Sequence, residues 1–448
     1  MDLLGDDRRE LAHVLQFEPR DDVVLAGHDV DGGGRIQFGD GRGGSRHRPR
    51  VDDHVYVGFC HGRPTERRVI TVASPPVGNL LVPTVGRDGH EPQAAGARIG
   101  RTDGSNRGGG LVTSVKEFRV DREPTSAELG RGAFVFTDAY SVFDWGPMPD
   151  PIPGKGASLC TMGAFNFERL ESEGVPTHYR GVSGSARALA GVREPPREMA
   201  IDLTQVPDLP HEGREYDYEA YHAEAGGNVL VPLEVVFRNR VPVGSSLRRR
   251  SEPTDHGLSF EEWPPDTVDL AEPVVEFSTK YEESDRYLDR EEADAIAGRA
   301  DIDELAGLAR AVNRIVTERA ERAGLVHEDG KIECLYYDGE VRVADVVGTF
   351  DENRFSYGGR GISKEVIRQY HKREQEAWVA AIEEAKARAK REDVADWRTL
   401  CDREPEGLPD GVIRAMAGMY AAGTNAYTGE GWFDAPDLDS AVEDAHGL

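Results

Sequence analysis

The segment LVHEDGKIECLYYDGEVRVAD, residues 325–345, carries the pattern that decides the fold, with two apolar runs separated by Asp338-Gly339. An Asp-Gly pair between strand-like runs is the typical sequence of a tight β-hairpin. The pattern predicts strands over 332–337 and 340–347. It places two carboxylates, Glu333 and Asp345, near the open end of this hairpin.

The length of the turn decides whether these two carboxylates cooperate, because a one-residue slip sends a side chain to the opposite face of a sheet. A two-residue turn pairs Glu333 with Ala344 and leaves Asp345 on the other face. It also gathers one apolar face, formed by Ile332, Cys334, Tyr336, Val341 and Val343. A three-residue turn pairs Glu333 with Val343 and makes Asp345 its diagonal neighbour, about 7 to 8 Å away. Patterning alone leaves both registers open.

Two carboxylates with a nearby lysine, Lys331, form a donor set suited to a magnesium nucleotide. Mg²⁺ is usually held by one or two carboxylates while substrate phosphates and waters fill the other positions. A nearby ammonium group neutralises phosphate charge. The alternative interpretation is a pair of solvated surface carboxylates.

Composition limits the class of protein. The 448 residues carry a formal net charge of -28, and only eight of them are lysine. This acidity argues against nucleic acid as a partner, because binding a phosphate backbone needs a basic surface. Four scattered cysteines without a CxxC pair indicate a reducing compartment and no zinc site. With no signal peptide or membrane span in the sequence, we expect a cytoplasmic protein.

The acidic, lysine-poor composition is typical of a halophilic protein, because ions screen the repulsion within a charged surface. An ordinary acidic enzyme is the alternative. Residues 1–111 lack this bias, with 15 Arg and no Lys against 16 Asp and Glu. They also lack a sustained apolar period, so we expect a disordered leader or a mis-annotated extension, with Val112 as a natural start if an alternative initiation codon encodes it. Within them, 29–40 imitates an EF-hand calcium loop without flanking helices.

From 113 onward, strand-like and helix-like periods alternate, which indicates an α+β class. The strongest buried strand is 228–239, interrupted by Pro232, and a long acidic loop follows over 248–273. Other expected elements are a strand over 133–137, a helix over 157–173 stopped by Gly174, helices capped by Asp289 and Asp301, a long helix over 363–391 and a helix over 409–422.

Taken in order, these segments resemble the SAICAR synthetase family, over roughly 113–370. The most specific stretches are LVPLEVVFRNRVPVGSS (230–246), similar to the family's P-x-E-x-x-x-R…GS signature, and 325–345, similar to its D-x-K-x-E-F-G signature. FTDAYSVFD (136–144), PGKG (153–156), GVPTHY (174–179) and STKYEESDR (278–286) support the match. The resemblance implies an ATP-grasp-like, two-lobed fold with a nucleotide-binding lobe over 112–232, a catalytic lobe over 233–370 and a helical C-terminal cap over 371–448.

The resemblance also implies an activity, the ATP-dependent joining of L-aspartate to carboxyaminoimidazole ribotide (CAIR) through an acyl phosphate. The implied cofactors are ATP and Mg²⁺. For the nucleotide, the resemblance implies that Glu333 and Asp345 bind Mg-ATP, which favours the three-residue turn or a bulge, that Lys116 and Lys155 also bind the nucleotide, and that Leu230, Val231 and Leu233 form the hinge beside adenine. For the ribotide, it implies that Arg238, Ser245 and Arg354 hold the phosphate. It places Asp329, Lys331 and Asp351 near the imidazole and its carboxylate, with Lys331 and Asp329 as catalytic residues.

This chain departs from the family pattern at several places. Only Lys116 stands where the family's N-terminal loop has two lysines, and Cys334-Leu335 replaces the usual Phe-Gly. Two alternatives remain at this stage, a kinase-like phosphotransferase that needs no aspartate and a non-enzymatic acidic module that binds calcium or protein. The sequence leaves homo-oligomerisation open.

Overall fold

The computed structural model of the chain describes residues 111–112, 115–184, 186–212, 215–282, 285–392, 394 and 396–448. The expected leader lies outside the described residues apart from Leu111, and so does the EF-hand-like loop at 29–40. The fold is α+β, as expected.

The first sheet has five antiparallel strands in the order β1-β2-β3-β5-β4. Their bounds are β1 Leu111–Val112, β2 Lys116–Arg122, β3 Arg131–Phe136, β4 Tyr179–Val182 and β5 Glu198–Ile201. Helix α1 (Lys155–Ser172) packs on this sheet, and Gly156 brings it so close that a Cβ there would lie 2.5 Å from the carbonyl oxygen of Thr137. The expected strand at 133–137 and the expected helix at 157–173 are confirmed.

The second sheet follows the order β10-β9-β8-β11-β13-β14, and β12 also pairs with β11. Its strands are β8 Asn228–Val241, β9 Val268–Thr279, β10 Tyr287–Leu288, β11 Val326–Tyr337, β12 Glu340–Ala344, β13 Asn353–Tyr357 and β14 Arg360–Gly361. A separate short hairpin joins β6 (His211–Glu212) to β7 (Glu215–Tyr216). The long central strands β8 and β11 bring the signature segments at 230–246 and 325–345 side by side.

Two expectations about β8 and the segment after it need correction. Pro232 does not interrupt the strand, because its pairing with β11 shifts register between Glu333 and Leu335, and proline is tolerated at such an irregularity. The acidic loop expected over 248–273 is shorter, since β9 begins at Val268. The expected lobe boundary between 232 and 233 falls inside β8.

The hairpin has the two-residue turn, so the three-residue register that the family resemblance favoured is wrong. Glu333 pairs with Ala344, and Tyr337 pairs with Glu340. Both turn residues have positive φ, 48° for Asp338 and 86° for Gly339, which is the geometry of a two-residue hairpin turn. The apolar face expected for this register is buried at Ile332, Cys334, Val341 and Val343, and Tyr336 packs partly buried against it.

The helices pack around these sheets. They are α2 Tyr218–Ala225, α3 Arg290–Ala297, α4 Ile302–Arg322, α5 Glu365–Glu374, α6 Glu376–Glu392, α7 Asp410–Thr428 and α8 Leu438–His446. Asp289 and Asp301 cap α3 and α4 as expected. None of the helices in the described part of the chain combines the length and apolarity needed to cross a bilayer.

The long helix expected over 363–391 is instead two helices that meet at Gln375. The backbone of Gln375 leaves the helical region, with φ -124° and ψ 43°. Its side-chain amide donates to the carbonyl oxygen of Glu406 at 3.0 Å and accepts from the Glu406 N–H at 3.1 Å. A distant loop therefore holds the break, and helical periodicity alone does not reveal it.

Candidate active site

A cluster of alternating charges lies where β8, β9, β11 and β12 meet. Glu234 of β8 stands directly opposite Glu333 of β11. Lys280, just after β9, is hydrogen-bonded to Glu333, and Lys331 is hydrogen-bonded to Glu234. Each lysine thus joins two strands through a carboxylate. We call Glu234, Lys280, Lys331, Glu333, Asp345 and Lys116 the charge cluster.

Lys116 brings the first sheet to the same place. It begins β2, is buried, and forms an ion pair with Asp345. Its ammonium nitrogen also lies 4.4 Å from the centre of the Phe134 ring. The predicted nucleotide residues Lys116, Glu333 and Asp345 are therefore brought together, and they join residues from both sheets.

The backbone at Asp345 explains how it reaches the cluster despite the two-residue turn. Simple alternation would send its side chain to the face opposite Glu333. Asp345 instead has φ 57°, in the left-handed region that Asp adopts more readily than most residues. This turns its side chain back towards Lys116 and Glu333.

The pKa values in the cluster differ with each group's partners. Burial together with the neighbouring Asp345 charge raises the pKa of Glu333 despite Lys280. Burial acts in the same direction on Asp345 and Glu234, but the lysines outweigh it and lower the pKa of both carboxyls. Glu333 is thus the carboxylate that is least compensated by the lysines, and it would gain most from a bound cation.

A second group of charges surrounds Asp329 on β11; we call Asp329, Arg238 and Arg354 the arginine group. Arg354 donates to both carboxylate oxygens of Asp329, at 2.8 Å through Nε, and an Arg238 nitrogen lies 3.5 Å from the same carboxylate. Arg238 also donates to Glu276 at 2.7 Å and to the Tyr287 hydroxyl at 2.9 Å. The carboxylates therefore fix both guanidinium groups in orientation, and Arg354 also lines a cavity.

Gly330 has a packing role between the two charged residues beside it. A Cβ at this position would lie 2.6 Å from Asn353 Cγ and 2.7 Å from the Phe237 ring. Glycine therefore lets β11 pass close to its neighbours, and this close approach sets the positions of Asp329 and Lys331.

Asp351 is the centre of a third group, which is buried. One of its carboxylate oxygens accepts from Lys155 Nζ at 2.6 Å and the other from the Tyr420 hydroxyl at 2.7 Å. Burial opposes ionisation of Asp351, but Lys155 outweighs it and lowers the pKa of this carboxyl. The structure thus places Lys155 with the predicted substrate residue Asp351 rather than in the charge cluster.

A cavity of about 330 Å³ joins these groups. Its lining contains four of the predicted residues, Asp329, Lys331, Asp351 and Arg354. Residues that sequence reasoning did not assign also line it, namely Glu352, Asn353, Ser363, Lys364, Glu365 and Arg368. Most of these lie in the turn before β13 or at the start of α5, outside the signature segments.

The remaining predicted residues lie next to these groups. Leu230, Val231 and Leu233 have fully buried side chains, so only their backbone can face a ligand. Ser245 begins a short 3₁₀ turn, where its hydroxyl accepts from the Leu247 N–H at 3.3 Å. Arg250 ends this turn and shares Glu276 with Arg238, so the turn lies beside the arginine group.

Sequence reasoning missed several members of these groups. Lys280 and Glu234 complete the charge cluster, and both stand inside quoted motifs, in STKYEESDR and in P-x-E. Glu276, Arg250 and Tyr287 surround Arg238 without any motif of their own. The sequence offers one signal for Lys280: the chain contains only eight lysines, so a lysine inside a family motif is a candidate for a functional role.

The donor set of the charge cluster fits a magnesium nucleotide. Hard carboxylate oxygens of Glu333 and Asp345 are the ligand type that Mg²⁺ prefers. Among the described residues, no group of three or more His, Cys, Asp or Glu side chains is arranged as a complete metal site. Phosphate oxygens and waters would complete the coordination, as is usual for nucleotide-bound Mg²⁺.

A cavity lined by lysine, arginine and carboxylate side chains, beside a cluster of paired carboxylates and lysines, is typical of the class of enzymes that handle phosphate-bearing substrates. The chain also matches the family model described as SAICAR synthetase over residues 125–385. It is 40% identical over 339 residues to a putative phosphoribosylaminoimidazole-succinocarboxamide synthase of Archaeoglobus fulgidus, covering 73% of this chain and 97% of that protein. The chain belongs to the SAICAR synthetase family.

Other similar proteins carry the same name. The phosphoribosylaminoimidazole-succinocarboxamide synthase of Thermoplasma acidophilum is 29% identical over 313 residues, covering 67% of this chain and 93% of that protein. Among solved structures, SAICAR synthase of Saccharomyces cerevisiae complexed with SAICAR matches with a TM-score of 0.49 and 19% identity, over 72% of this chain and 95% of that chain. The expected enzyme class, an ATP-dependent carbon–nitrogen ligase of purine biosynthesis, is confirmed by family membership.

Proposed function

We propose that this chain joins L-aspartate to CAIR with the charge cluster as the site of Mg-ATP and the arginine group as the site of the ribotide phosphate. The observation that carries the proposal is the pairing of Glu333 with Lys280 and of Asp345 with Lys116, in the same cluster as Lys331, which lines the cavity. Such pairs keep a buried, highly charged site close to neutral before substrates bind.

When the nucleotide binds, the lysines of the charge cluster exchange their carboxylate partners for phosphate oxygens. Phosphate oxygens take over Lys116, Lys280 and Lys331, because an ammonium group is a compact donor suited to phosphate. Glu333 and Asp345 are then available to Mg²⁺, which when bound offsets charge on the transferred phosphoryl group. The raised pKa of Glu333 supports this exchange, since that carboxylate is the one in need of a positive partner.

The ribotide lies across the cavity in this proposal. Arg238 and Arg354 hold its phosphate in a fixed orientation because Asp329 is paired with both guanidinium groups. The Ser245 turn supplies further donors beside Arg238. Asp351 accepts from the N–H donors of the aminoimidazole, and its own carboxylate is kept in place by Lys155.

The chemistry has two steps, since a carboxylate is a poor acyl donor. An oxygen of the CAIR carboxylate attacks the γ-phosphorus of ATP, and the bond between this phosphorus and the oxygen of the β-phosphate breaks. ADP is the leaving group, and the product is the acyl phosphate of CAIR. The aspartate nitrogen then attacks the acyl carbon, loses a proton and displaces phosphate to form the amide. Lys331 belongs to the charge cluster and also lines the cavity, and it neutralises oxygen charge in the first step. In the second step the site mainly positions the aspartate amine against the acyl phosphate.

Adenine lies against the backbone of 230–233, whose side chains are buried in the core. The Leu230 N–H already donates to the carbonyl oxygen of Gln205 at 3.0 Å, and its carbonyl accepts from Tyr221 at 2.9 Å. Val231 therefore offers the nearest backbone groups for the base.

A substrate drop-out assay tests the function. ADP release is measured with ATP, Mg²⁺, CAIR and aspartate, and then with each omitted in turn. We expect ADP only in the complete mixture. ADP release that is unaffected by omission of aspartate would contradict the ligase and support a phosphotransferase instead.

A further inference from the structure

Helix α7 lies beyond residues 125–385, the range that the family model matches, yet one of its residues is hydrogen-bonded to a side chain that lines the cavity. The Tyr420 hydroxyl donates to Asp351 Oδ1 at 2.7 Å, while Lys155 occupies the other oxygen of the same carboxylate at 2.6 Å. Tyr420 is fully buried, and Asp351 lines the cavity. Two partners on two different helices thus fix one carboxylate.

The docking of α7 is specific at this point. Ser158 of α1 donates to the carbonyl oxygen of Tyr420 at 3.0 Å. Gly423 lies one turn later and packs so closely that a Cβ there would be 2.7 Å from the Phe350 ring. Phe350 directly precedes Asp351, so α7 contacts the turn that carries this carboxylate at two adjacent residues.

We propose that Tyr420 is a positioning residue for the substrate: it holds Asp351 in the orientation that receives the aminoimidazole of the ribotide, and it makes α7 part of the active site. A carboxylate fixed by one partner can rotate about its Cβ–Cγ bond. A second donor on the other oxygen removes this freedom before the substrate binds, and such preorganisation lowers the cost of binding. The inference rests on the proposed function, because Asp351 is placed there as a ribotide contact.

The chain offers a matched control on the same helix. Tyr427 is also fully buried, and its hydroxyl donates to Asn166 Oδ1 at 2.8 Å, away from the cavity lining. Tyr420→Phe and Tyr427→Phe each remove one buried hydroxyl hydrogen bond and keep the ring. A purely structural role predicts similar losses in both variants.

The experiment measures Tm, the calorimetric affinity for CAIR without ATP, and KM for CAIR, ATP and aspartate. We expect both variants to lose thermal stability. Tyr420→Phe alone should weaken CAIR binding and raise its KM by about tenfold, the order expected for a lost hydrogen bond to a charged group. Unchanged CAIR affinity in a folded Tyr420→Phe protein would overturn the proposal, and so would an equal effect of Tyr427→Phe.

A double-substitution cycle tests whether Tyr420 acts through Asp351. In an Asp351→Asn background, Tyr420→Phe should add little to the loss of CAIR affinity, whereas fully additive effects would contradict the coupling. Should Tyr420→Phe not fold, Asp351→Asn carries the test. The proposal then requires weaker CAIR binding at unchanged KM for ATP, and unchanged CAIR binding refutes it.

The wild-type drop-out assay separates this inference from the proposed function. If the wild-type protein forms ADP only with all substrates and Tyr420→Phe behaves like Tyr427→Phe, only the positioning role fails. If wild-type ADP formation does not depend on aspartate or CAIR, the proposed function fails first.

Discussion

The active site and the outer surface of this chain balance their charges in opposite ways. Within the site, three carboxylates of the charge cluster face three lysines, so the charges cancel locally. Four of the chain's eight lysines belong to the charge cluster or line the cavity, namely Lys116, Lys280, Lys331 and Lys364, and a fifth, Lys155, is hydrogen-bonded to Asp351 of the lining. Exposed ion pairs mostly use arginine instead, as in Arg290–Asp303 and Arg388–Glu392.

The comparison teaches that scarcity makes a residue type informative. Exposed ion pairs mostly contain arginine, whereas the proposed phosphate site contains lysine, whose ammonium group is a compact charge. The two regions should also respond to different conditions. Buried pairs are weakly screened by salt, whereas the exposed charges of a chain with a formal net charge of -28 are strongly screened.

The largest expected effect comes from neutralising a carboxylate inside the site. Glu333→Gln and Asp345→Asn keep the side-chain shape but remove a proposed metal ligand and the carboxylate partner of a lysine. We expect turnover at ordinary Mg²⁺ to fall on the order of 10³-fold, because charge on the transferred phosphoryl group loses its compensation. Steady-state ADP release measures the effect.

Asp303→Asn is the matched surface control, because it removes an exposed ion pair with Arg290. It should leave turnover unchanged. Near-normal turnover of either site variant, with a wild-type circular dichroism spectrum, would show that the charge cluster does not hold the nucleotide metal.

A second way to sharpen the comparison uses acid, through a buried histidine next to the site. Burial lowers the pKa of His327 from 6.5 to about 3. The ring contacts Thr317 at 2.7 Å and Asn353 at 2.9 Å, so it stays neutral in the folded protein. In this pH range the unfolded chain binds a proton at His327 that the folded chain does not bind. The free energy of unfolding therefore decreases as pH falls from 6.5 towards 3, by up to roughly 4 kcal/mol.

Urea unfolding between pH 7 and pH 4 tests this. His327→Gln should be less stable than the wild type at pH 7 but should lose less stability on acidification. His446→Gln, at an exposed position of α8, serves as control and should keep the wild-type slope. An unchanged slope in His327→Gln would show that other groups account for acid unfolding.

The surface itself should respond to salt. Because the acidic exterior repels itself, Tm should rise between dilute buffer and molar KCl by at least about 2 °C, the order of shift that 1 kcal/mol gives. The halophilic interpretation stays a prediction until differential scanning fluorimetry measures this dependence. A flat or falling Tm would speak for an ordinary acidic enzyme.

The smallest effect is expected from removal of residues 1–111, which contain none of the predicted site residues and lack the acidic bias of the rest of the chain. A chain that starts at Val112 should keep full activity, because the family match and the site residues all lie after it. Intact mass of the protein from its native cells distinguishes a translated leader, near 49 kDa, from a late start. A soluble, folded but inactive truncation would assign a role to residues 1–111.

Much of the fold follows from local patterns. Asp289 and Asp301 predict the starts of α3 and α4 because capping is a local interaction. The Asp338-Gly339 pair predicts the hairpin, but patterning leaves the length of its turn open, and the three-residue register that the family resemblance favoured is not the observed one. The break at Gln375 depends on contacts with Glu406, thirty-one residues away, so no local pattern reveals it.

The site was predictable where chemistry and motif coincide. Glu333, Asp345 and Lys331 stand in one segment, and pairing of β8 with β11 brings Arg238 to Asp329. Lys280 and Glu276 reach the site only because β9 pairs with β8, and Tyr420 only because α7 docks on α1. Such tertiary neighbours carry no signal in the spacing of the sequence.

The left-handed backbone at Asp345 constrains how this site can drift over many generations. Among common residues, only Gly, Asn and Asp adopt that conformation readily, and only Asp also brings a negative charge. Glu333 lies in strand β11 without a positive φ, so its backbone conformation does not restrict the residue type in this way. Position 345 is therefore restricted twice, by shape and by charge. A substitution there loses the backbone conformation, the negative charge, or both, whereas a substitution of Glu333 changes only the side chain.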